Sequence, residues 1–569
     1  MKEHSRWARI GLLVAQDDRY GAHYQEAIER TGLAYETLED RSLMDLSSHG
    51  VLLLCGHAQL KHHYVESVAQ WVQEGGCVIC SGSTWGLESV LGLDPKSQAA
   101  STESLNQTTE SPIWPEDCDR IRFMGGALHA PNGCEVLASV RDGFVGLGRR
   151  RVGRGWAYWL APHLGQTAAL MQAGRSVESD SPGPSDASAY TMDGDLRAED
   201  GTNLSYEHDR ATVADEHPYF DSPYVDLLRE MWLRAVVQSA KDTGRALAMM
   251  WYWPNFSPAT VMLTFECTSL DPDQVYAMDR MLQMMQGYAT WLTGPPGYGN
   301  DIYRWMKQRG HEPGLLFVTE DANGWHEGKL KIQYQVISRS SSSLDMAAIR
   351  PMNGRWYRLD EMYTMVEETA AKVSLSKGGR QPGTSGYLFG TCHPYYPIKQ
   401  NGVSSRILEV PYQICDPGKA CQDGTAARLV QQTLMRNGCL QVVSRPEAVA
   451  EPVAFSSLRK VLTQCKMNRM EFVLPSEIAE YERLRRNVRL AQIEQNGQPI
   501  LRISTPTRFE KACLMISEPA TDAGKHGMPS HQGVREYLGL RWLSVVLDLD
   551  AKSPNDVRVS FGTPDQRAA

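Results

Sequence analysis

Two short stretches carry residues able to do chemistry. The run Ala259-Thr260-Val261-Met262-Leu263-Thr264-Phe265 is apolar, as a buried strand is, and it ends in an acid, Glu266. A carboxylate held at such a strand end can take or hold a proton for a reacting group. Further on, Cys392-His393-Pro394-Tyr395-Tyr396-Pro397 sets an imidazole beside an aromatic turn fixed by proline. His393 is the candidate acid or substrate contact there. The other titratable residues read as structural: His311 as a hydrogen-bonded side chain, Asp271 before Pro272 as a helix cap, and His326 after Trp325 as part of a polar loop. Cys77 and Cys80 have CxxC spacing, but Cys-Val-Ile-Cys reads as a strand, where residues three apart point to opposite faces and cannot grip one metal. Cys55 ends another strand and reads as a core side chain.

The elements that must position these groups fall into two α/β rhythms. In the first, residues 10–15, 51–55 and 77–81 read as buried strands, with helices over 20–31 and 64–74. Strands alternating with helices imply a parallel sheet covered on both faces, here a doubly wound, flavodoxin-like domain. The second rhythm begins with a helix whose apolar face holds Val225, Leu228, Met231, Trp232 and Val236. The strand ending at Glu266 follows, then a helix with Val275, Met278, Leu282 and Met285 on one face. Next come a strand over 288–293, a helix over 302–308 and a strand through 311–317. This is the rhythm of a β/α barrel, whose active sites sit at the C-terminal strand ends, where Glu266 falls.

The expected division is an α/β domain over 1–170, an acidic disordered linker or surface insertion over 171–218, an incomplete β/α barrel over 219–500 and a small β-rich region over 501–569. The linker is rich in Ser, Asp, Glu, Gly and Pro, and buries too little apolar area to offset its ordering entropy. Over 475–486, acids come early and bases late, as suits a helix dipole.

The 569 residues carry a net charge of −9, which argues against a nucleic-acid partner, since phosphate binding needs clustered Lys and Arg. Arg149, Arg150, Arg151 and Arg154 form one basic cluster, and its Gly-rich setting reads as a solvated hairpin tip. No stretch reaches the roughly 20 apolar residues that span a bilayer, and none reads as a signal peptide. A cytoplasmic location with twelve reduced, scattered cysteines is therefore expected, with no membrane contact.

Two resemblances add to this reading. Leu52-Leu53-Leu54-Cys55-Gly56-His57, Gly75-Gly76-Cys77-Val78-Ile79-Cys80-Ser81-Gly82, Trp85-Gly86-Leu87 and Gly153-Arg154-Gly155-Trp156-Ala157-Tyr158-Trp159-Leu160 resemble the class I glutamine amidotransferase-like domains. The resemblance implies that a catalytic member carries a cysteine in a strained Gly-x-Cys-x-Gly turn, which this sequence lacks, so the domain is expected to serve as scaffold, dimerisation or ligand-sensing module, through which a homo-oligomer or protein partner would dock. Leu263-Thr264-Phe265-Glu266-Cys267-Thr268, Tyr288-Ala289-Thr290-Trp291-Leu292 and Gly310-His311-Glu312-Pro313-Gly314-Leu315-Leu316 resemble the successive motifs of the polysaccharide deacetylases. Gly386-Tyr387-Leu388-Phe389-Gly390-Thr391-Cys392-His393-Pro394-Tyr395 and Leu408-Glu409-Val410-Pro411 are similar to their later segments.

The deacetylase resemblance implies Glu266 as general base. It also implies Arg380, in Arg380-Gln381-Pro382, as the arginine that pairs with and orients it. In the family a second Asp and two His hold zinc. Here those positions carry Cys267 or Thr268, then Leu316 and Glu320, so the zinc cofactor is expected to be absent. Trp325, Tyr387, Tyr395 and Tyr396, with Trp291, are the candidate sugar-binding aromatics, by stacking on sugar rings. Three readings of function follow: a non-catalytic descendant that binds a carbohydrate or a protein partner, a hydrolase working through Glu266 with altered or no metal, and an assembly protein acting through its N-terminal domain.

Overall fold

The computed structural model describes residues 6–173, 219–318, 325–343, 346–354, 361–379, 385–421, 424–495, 498–524, 533–552 and 555–561. Most of the expected acidic linker lies outside these residues. The chain divides into two compact units. The first takes Met1–Thr167, Leu227–Phe256 and Glu482–Ala569; the second takes Ala168–Asp226 and Ser257–Tyr481.

In the first unit, Ile10–Val14 pairs in parallel with Glu36–Thr37 on one side and Val51–Cys55 on the other. Cys77–Ser81 and Gly155–Leu160 extend the parallel run. Numbered along the chain, the five strands lie in the order 2-1-3-4-5, the flavodoxin-like order of a doubly wound domain. Val51–Cys55 and Cys77–Ser81 are buried throughout, which is why both read as unbroken apolar runs. Cys55, Cys77 and Cys80 are buried free thiols, and burial pushes all three above their ordinary pKa, Cys77 to about 12. Beyond Gly155–Leu160 the sheet turns antiparallel through Val145–Val152. Gly153 and Arg154 form the tip of that hairpin, and Arg149 pairs with Glu135 at 2.6 Å.

The C-terminal strands form two four-stranded sheets in the same unit: Arg489–Gln495, Gln498–Ser504, Asn555–Phe561 and Ala520–Gly524 in one, and Ala248–Met250, Phe509–Ser517, Leu540–Leu549 and Gly533–Tyr537 in the other. This β-rich region starts at Arg489, earlier than the expected 501. Its first strand carries Gln492 and Glu494 between its apolar residues, so its pattern reads as polar in isolation.

The second unit is built on one large sheet. Its central strands are parallel and ordered Ile414–Cys415, Cys439–Ser444, Thr260–Cys267, Thr290–Thr293, Glu312–Phe317, Ala348–Pro351, Val373–Ser374 and Leu408–Glu409. Among the described residues, Leu408–Glu409 and Ile414–Cys415 do not pair with each other, so the barrel is left open there. The sheet must nonetheless curl. Glu266 and Arg350 stand three strands apart, about 14 Å on a flat sheet, yet their side chains are hydrogen-bonded.

Val275, Met278 and Leu282 of the helix Pro272–Met284 are buried in this core, as their spacing implies. Asp271 caps that helix, accepting from Asp273 N at 3.0 Å. His326 caps Glu327–Ser340, accepting from Gly328 N at 3.2 Å. His311 is buried, accepting from Ala289 N through Nδ1 at 3.2 Å and donating Nε2–H to Asp279 at 2.9 Å. Among the described residues, no helix is long and apolar enough to cross a membrane.

Candidate functional site

The C-terminal strand ends of the second unit surround a cleft of about 500 Å³. Glu266 and Thr268 enter it from the strand Thr260–Cys267, and Asn353 from just past Ala348–Pro351. Cys415 and Asp416 close Ile414–Cys415, and Ser444 and Arg445 follow Cys439–Ser444. Glu447 and Glu451 come from the turn and helix beyond. Asn353 and Asp416 both have φ 57°, the left-handed backbone that Asn and Asp tolerate better than other L residues. Each redirects the chain at the point where a strand gives way to the cleft wall.

Glu266 is buried at the base of the cleft, and Arg350 Nε donates to its Oε1 at 2.5 Å. Arg350 is fully buried, donates Nη1–H to Leu375 O at 2.7 Å, and lies over the Tyr412 ring at 4.2 Å. Burial works against its charge, but the Glu266 carboxylate more than offsets this and holds the guanidinium above its ordinary pKa. Cys415 lies in the same neighbourhood, its thiol pushed up to about 12 by burial. Glu447 Oε1 accepts from Thr268 Oγ1 and Ser269 N, both at 3.0 Å, and its Oε2 is buried without a hydrogen-bond partner.

Of the described residues singled out in the sequence, the cleft gathers Glu266 and, from the metal-position pair, Thr268. Arg380 lies outside the described residues; among the described residues, the arginine that pairs with Glu266 is Arg350. The sequence does hold a signal for it, an arginine closing the apolar run Met346-Ala347-Ala348-Ile349 just before Pro351, the same pattern that marks Glu266. Asp416, Glu447 and Glu451 were not legible as site residues, because each follows a short strand or a proline turn that reads as an ordinary loop.

His393 stands at the other end of the sheet. Cys439 N donates to Cys392 O, and Cys439 pairs with Thr260 at the start of the strand that ends near Glu266. Six residues of strand put His393 about 20 Å from Glu266, too far for a shared proton. Its Nε2–H donates to Arg436 O at 2.7 Å. With Asp226 and Cys392 it forms a buried group whose ligand atoms lie within 4.8 Å of one another. Hydrogen bonds account for that closeness: Asp226 accepts from Thr391 Oγ1 and Cys392 N, both at 2.7 Å, and from Cys392 Sγ at 3.3 Å.

The candidate aromatics also lie away from the cleft lining. Tyr387 is buried, donating to Leu429 O at 3.0 Å. Tyr395 is buried and bridges Glu409, Trp325 packs on Phe317 at 4.9 Å, and Trp291 packs on Phe265 at 4.5 Å. Tyr396 is half-buried.

The residues at the deacetylase metal positions do not fit a zinc ion. Leu316 is buried, offers no donor atom, and stands opposite Arg350 in the strand register. Cys267 is buried, and burial raises its thiol well above the ordinary range, so the thiolate that zinc needs is disfavoured. Thr268 is engaged with Glu447. Glu320 lies outside the described residues.

No protein-family model matches the sequence, and no curated protein does. Among solved structures, a β-galactosidase from Bacillus circulans sp. alkalophilus is 16% identical over 28% of this chain and 29% of its own, with a TM-score of 0.24. A cytoplasmic protein from Salmonella typhimurium is 10% identical over 27% of this chain and 88% of its own, with a TM-score of 0.23. This chain thus spans under a third of that β-galactosidase. Agd3, a carbohydrate deacetylase, is 9% identical and aligns over 97% of this chain and 99% of its own, with a TM-score of 0.44.

Proposed function

We propose that this protein binds a carbohydrate in the cleft at the mouth of its open barrel, without the zinc chemistry of the polysaccharide deacetylases. The cleft lining carries this reading. Glu266, fixed from behind by Arg350, stands with Asn353, Asp416, Glu447 and Glu451 around one cavity. Carboxylate and amide oxygens accept from sugar hydroxyls, and several converging on one cavity fix a polyhydroxyl ligand in orientation. A hydrolase working through Glu266 is the second reading, favoured by the position of that carboxylate at the base of an accessible cleft.

Calorimetric titration with acetylated and deacetylated hexosamine oligosaccharides tests both. Binding is expected for the natural chain, and Glu266→Gln is expected to weaken it about tenfold or more, the effect of losing a charged hydrogen-bond acceptor. Failure of every oligosaccharide to bind would sink the proposal. Acetate release that disappears in Glu266→Gln would replace it with the hydrolase.

Metal analysis is a separate check. Purified protein is expected to hold zinc well below one per chain, and chelators are expected to leave its folding and sugar binding unchanged. Zinc at about one per chain, lost on Cys267→Ser or His393→Ala, would show a rebuilt site.

A further inference from the structure

Two strand edges in the first unit face one groove. Glu36–Thr37 ends its sheet, paired only with Ile10–Val14, and Arg489–Gln495 ends one of the four-stranded sheets, paired only with Gln498–Ser504. A cavity of about 330 Å³ is bordered by residues 34–36 on one wall and 490–493 on the other. Successive side chains of a strand point to opposite faces, so consecutive residues border one cavity only where it meets the strand from its edge. The backbone of the first wall is open. Glu36 stands opposite Gly11, and Leu38 N donates to Leu12 O at 2.8 Å, so Glu36 and Leu38 turn their backbone groups to the neighbouring strand. Tyr35 and Thr37, which alternate with them, turn theirs to the groove. An open strand edge is a template for another strand.

The groove runs into a second cavity, of about 250 Å³, which shares Ala34, Tyr35 and Leu490 with the first. Arg485 lines it, and its side chain has no exposed surface. Its Nη2 donates to both oxygens of Glu482 at 2.9 Å, which pairs the charge. Nε and Nη1 are buried and have no acceptor, although a buried N–H left unpaired is costly. A Cβ on Gly32 would stand 2.9 Å from Nη1, so glycine leaves that nitrogen uncovered. Arg489, at the exposed rim, donates to Arg486 O at 3.2 Å and forms no ion pair among the described residues. The acid on this wall, Glu29, accepts from Gln25 at 3.0 Å. The open edge thus leads to guanidinium N–H groups that lack an acceptor and to a cation outside any ion pair.

We propose that this groove docks the C-terminal end of an extended polypeptide, added as a strand along residues 35–37, with its terminal carboxylate on Arg485 Nη1 and facing Arg489. Main-chain hydrogen bonds supply the affinity of such strand addition, and the carboxylate supplies the acceptor that Arg485 lacks. The site is independent of the barrel cleft and of the carbohydrate reading.

Fluorescence anisotropy of the full chain tests it. The probes are a pool of randomised, fluorescein-labelled hexapeptides that end in a free carboxylate, and the same pool amidated at its C-terminus. The free-acid pool should bind saturably, and amidation should weaken binding about tenfold, the effect of one lost charged hydrogen bond. Arg489→Ala changes an exposed residue and should weaken the free-acid pool by a similar factor. Thr37→Pro removes one N–H from the edge, where a strand tolerates proline, and should weaken both pools about fivefold while circular dichroism and melting temperature match the natural chain. No saturable binding by the free-acid pool, equal binding of the two pools, or undiminished binding in both variants would each overturn the site.

Discussion

Replacing Arg350 with methionine should destabilise the barrel unit by about 3–5 kcal/mol, because it strands the buried Glu266 carboxylate without its partner. The pair lies inside the curled sheet, and Arg350 also satisfies Leu375 O and packs on Tyr412, so three segments lose their common contact. The double variant Glu266→Gln, Arg350→Met should recover part of the loss, since it removes the unpaired charge along with the pair. Urea unfolding followed by tryptophan fluorescence reads both effects. A single variant within about 1 kcal/mol of the natural chain, the range of an exposed pair, would show that the ion pair does not hold the sheet in its curl.

Trp291→Ala is expected to cost a similar amount, about 3–5 kcal/mol, by emptying a large volume from a packed core. Trp291 has no exposed surface, and its ring meets Phe265 at 4.5 Å and His311 at 5.7 Å. Because it buttresses the strand that delivers Glu266 without reaching the cleft, sugar affinity per folded molecule should hardly change. The opposite result, stability kept and affinity lost, would return Trp291 to the sugar-binding role that its aromatic ring first invites.

These expectations divide along the line between local and long-range information. A strand buried on both faces must be apolar along its length, so the runs ending at Cys55, Ser81 and Glu266 were visible without a structure. Caps act within a turn of their own residue, and Asp271 before Pro272 was legible for that reason. The doubly wound order of the first unit and the barrel rhythm of the second follow from the same alternation of strand and helix.

The aromatic wall and the His393 role were drawn from residue type alone. Type does not say which end of a strand a side chain occupies: His393 and Glu266 sit near opposite ends of paired strands, and Tyr387, Tyr395 and Trp291 fill the core. The identity of the arginine beside Glu266 shows the limit most clearly. Arg350 is 84 residues away along the chain, and only the curl of the sheet brings it within hydrogen-bond reach. What the sequence by itself determined is an α/β chain with two rhythms of strand and helix and an acid at the end of a buried strand. What the tertiary structure decided is which groups meet: the cleft acids around Glu266 and the guanidinium behind it. Side-chain encounters of that kind depend on how strands separated by whole helices are laid side by side, and periodicity does not encode it.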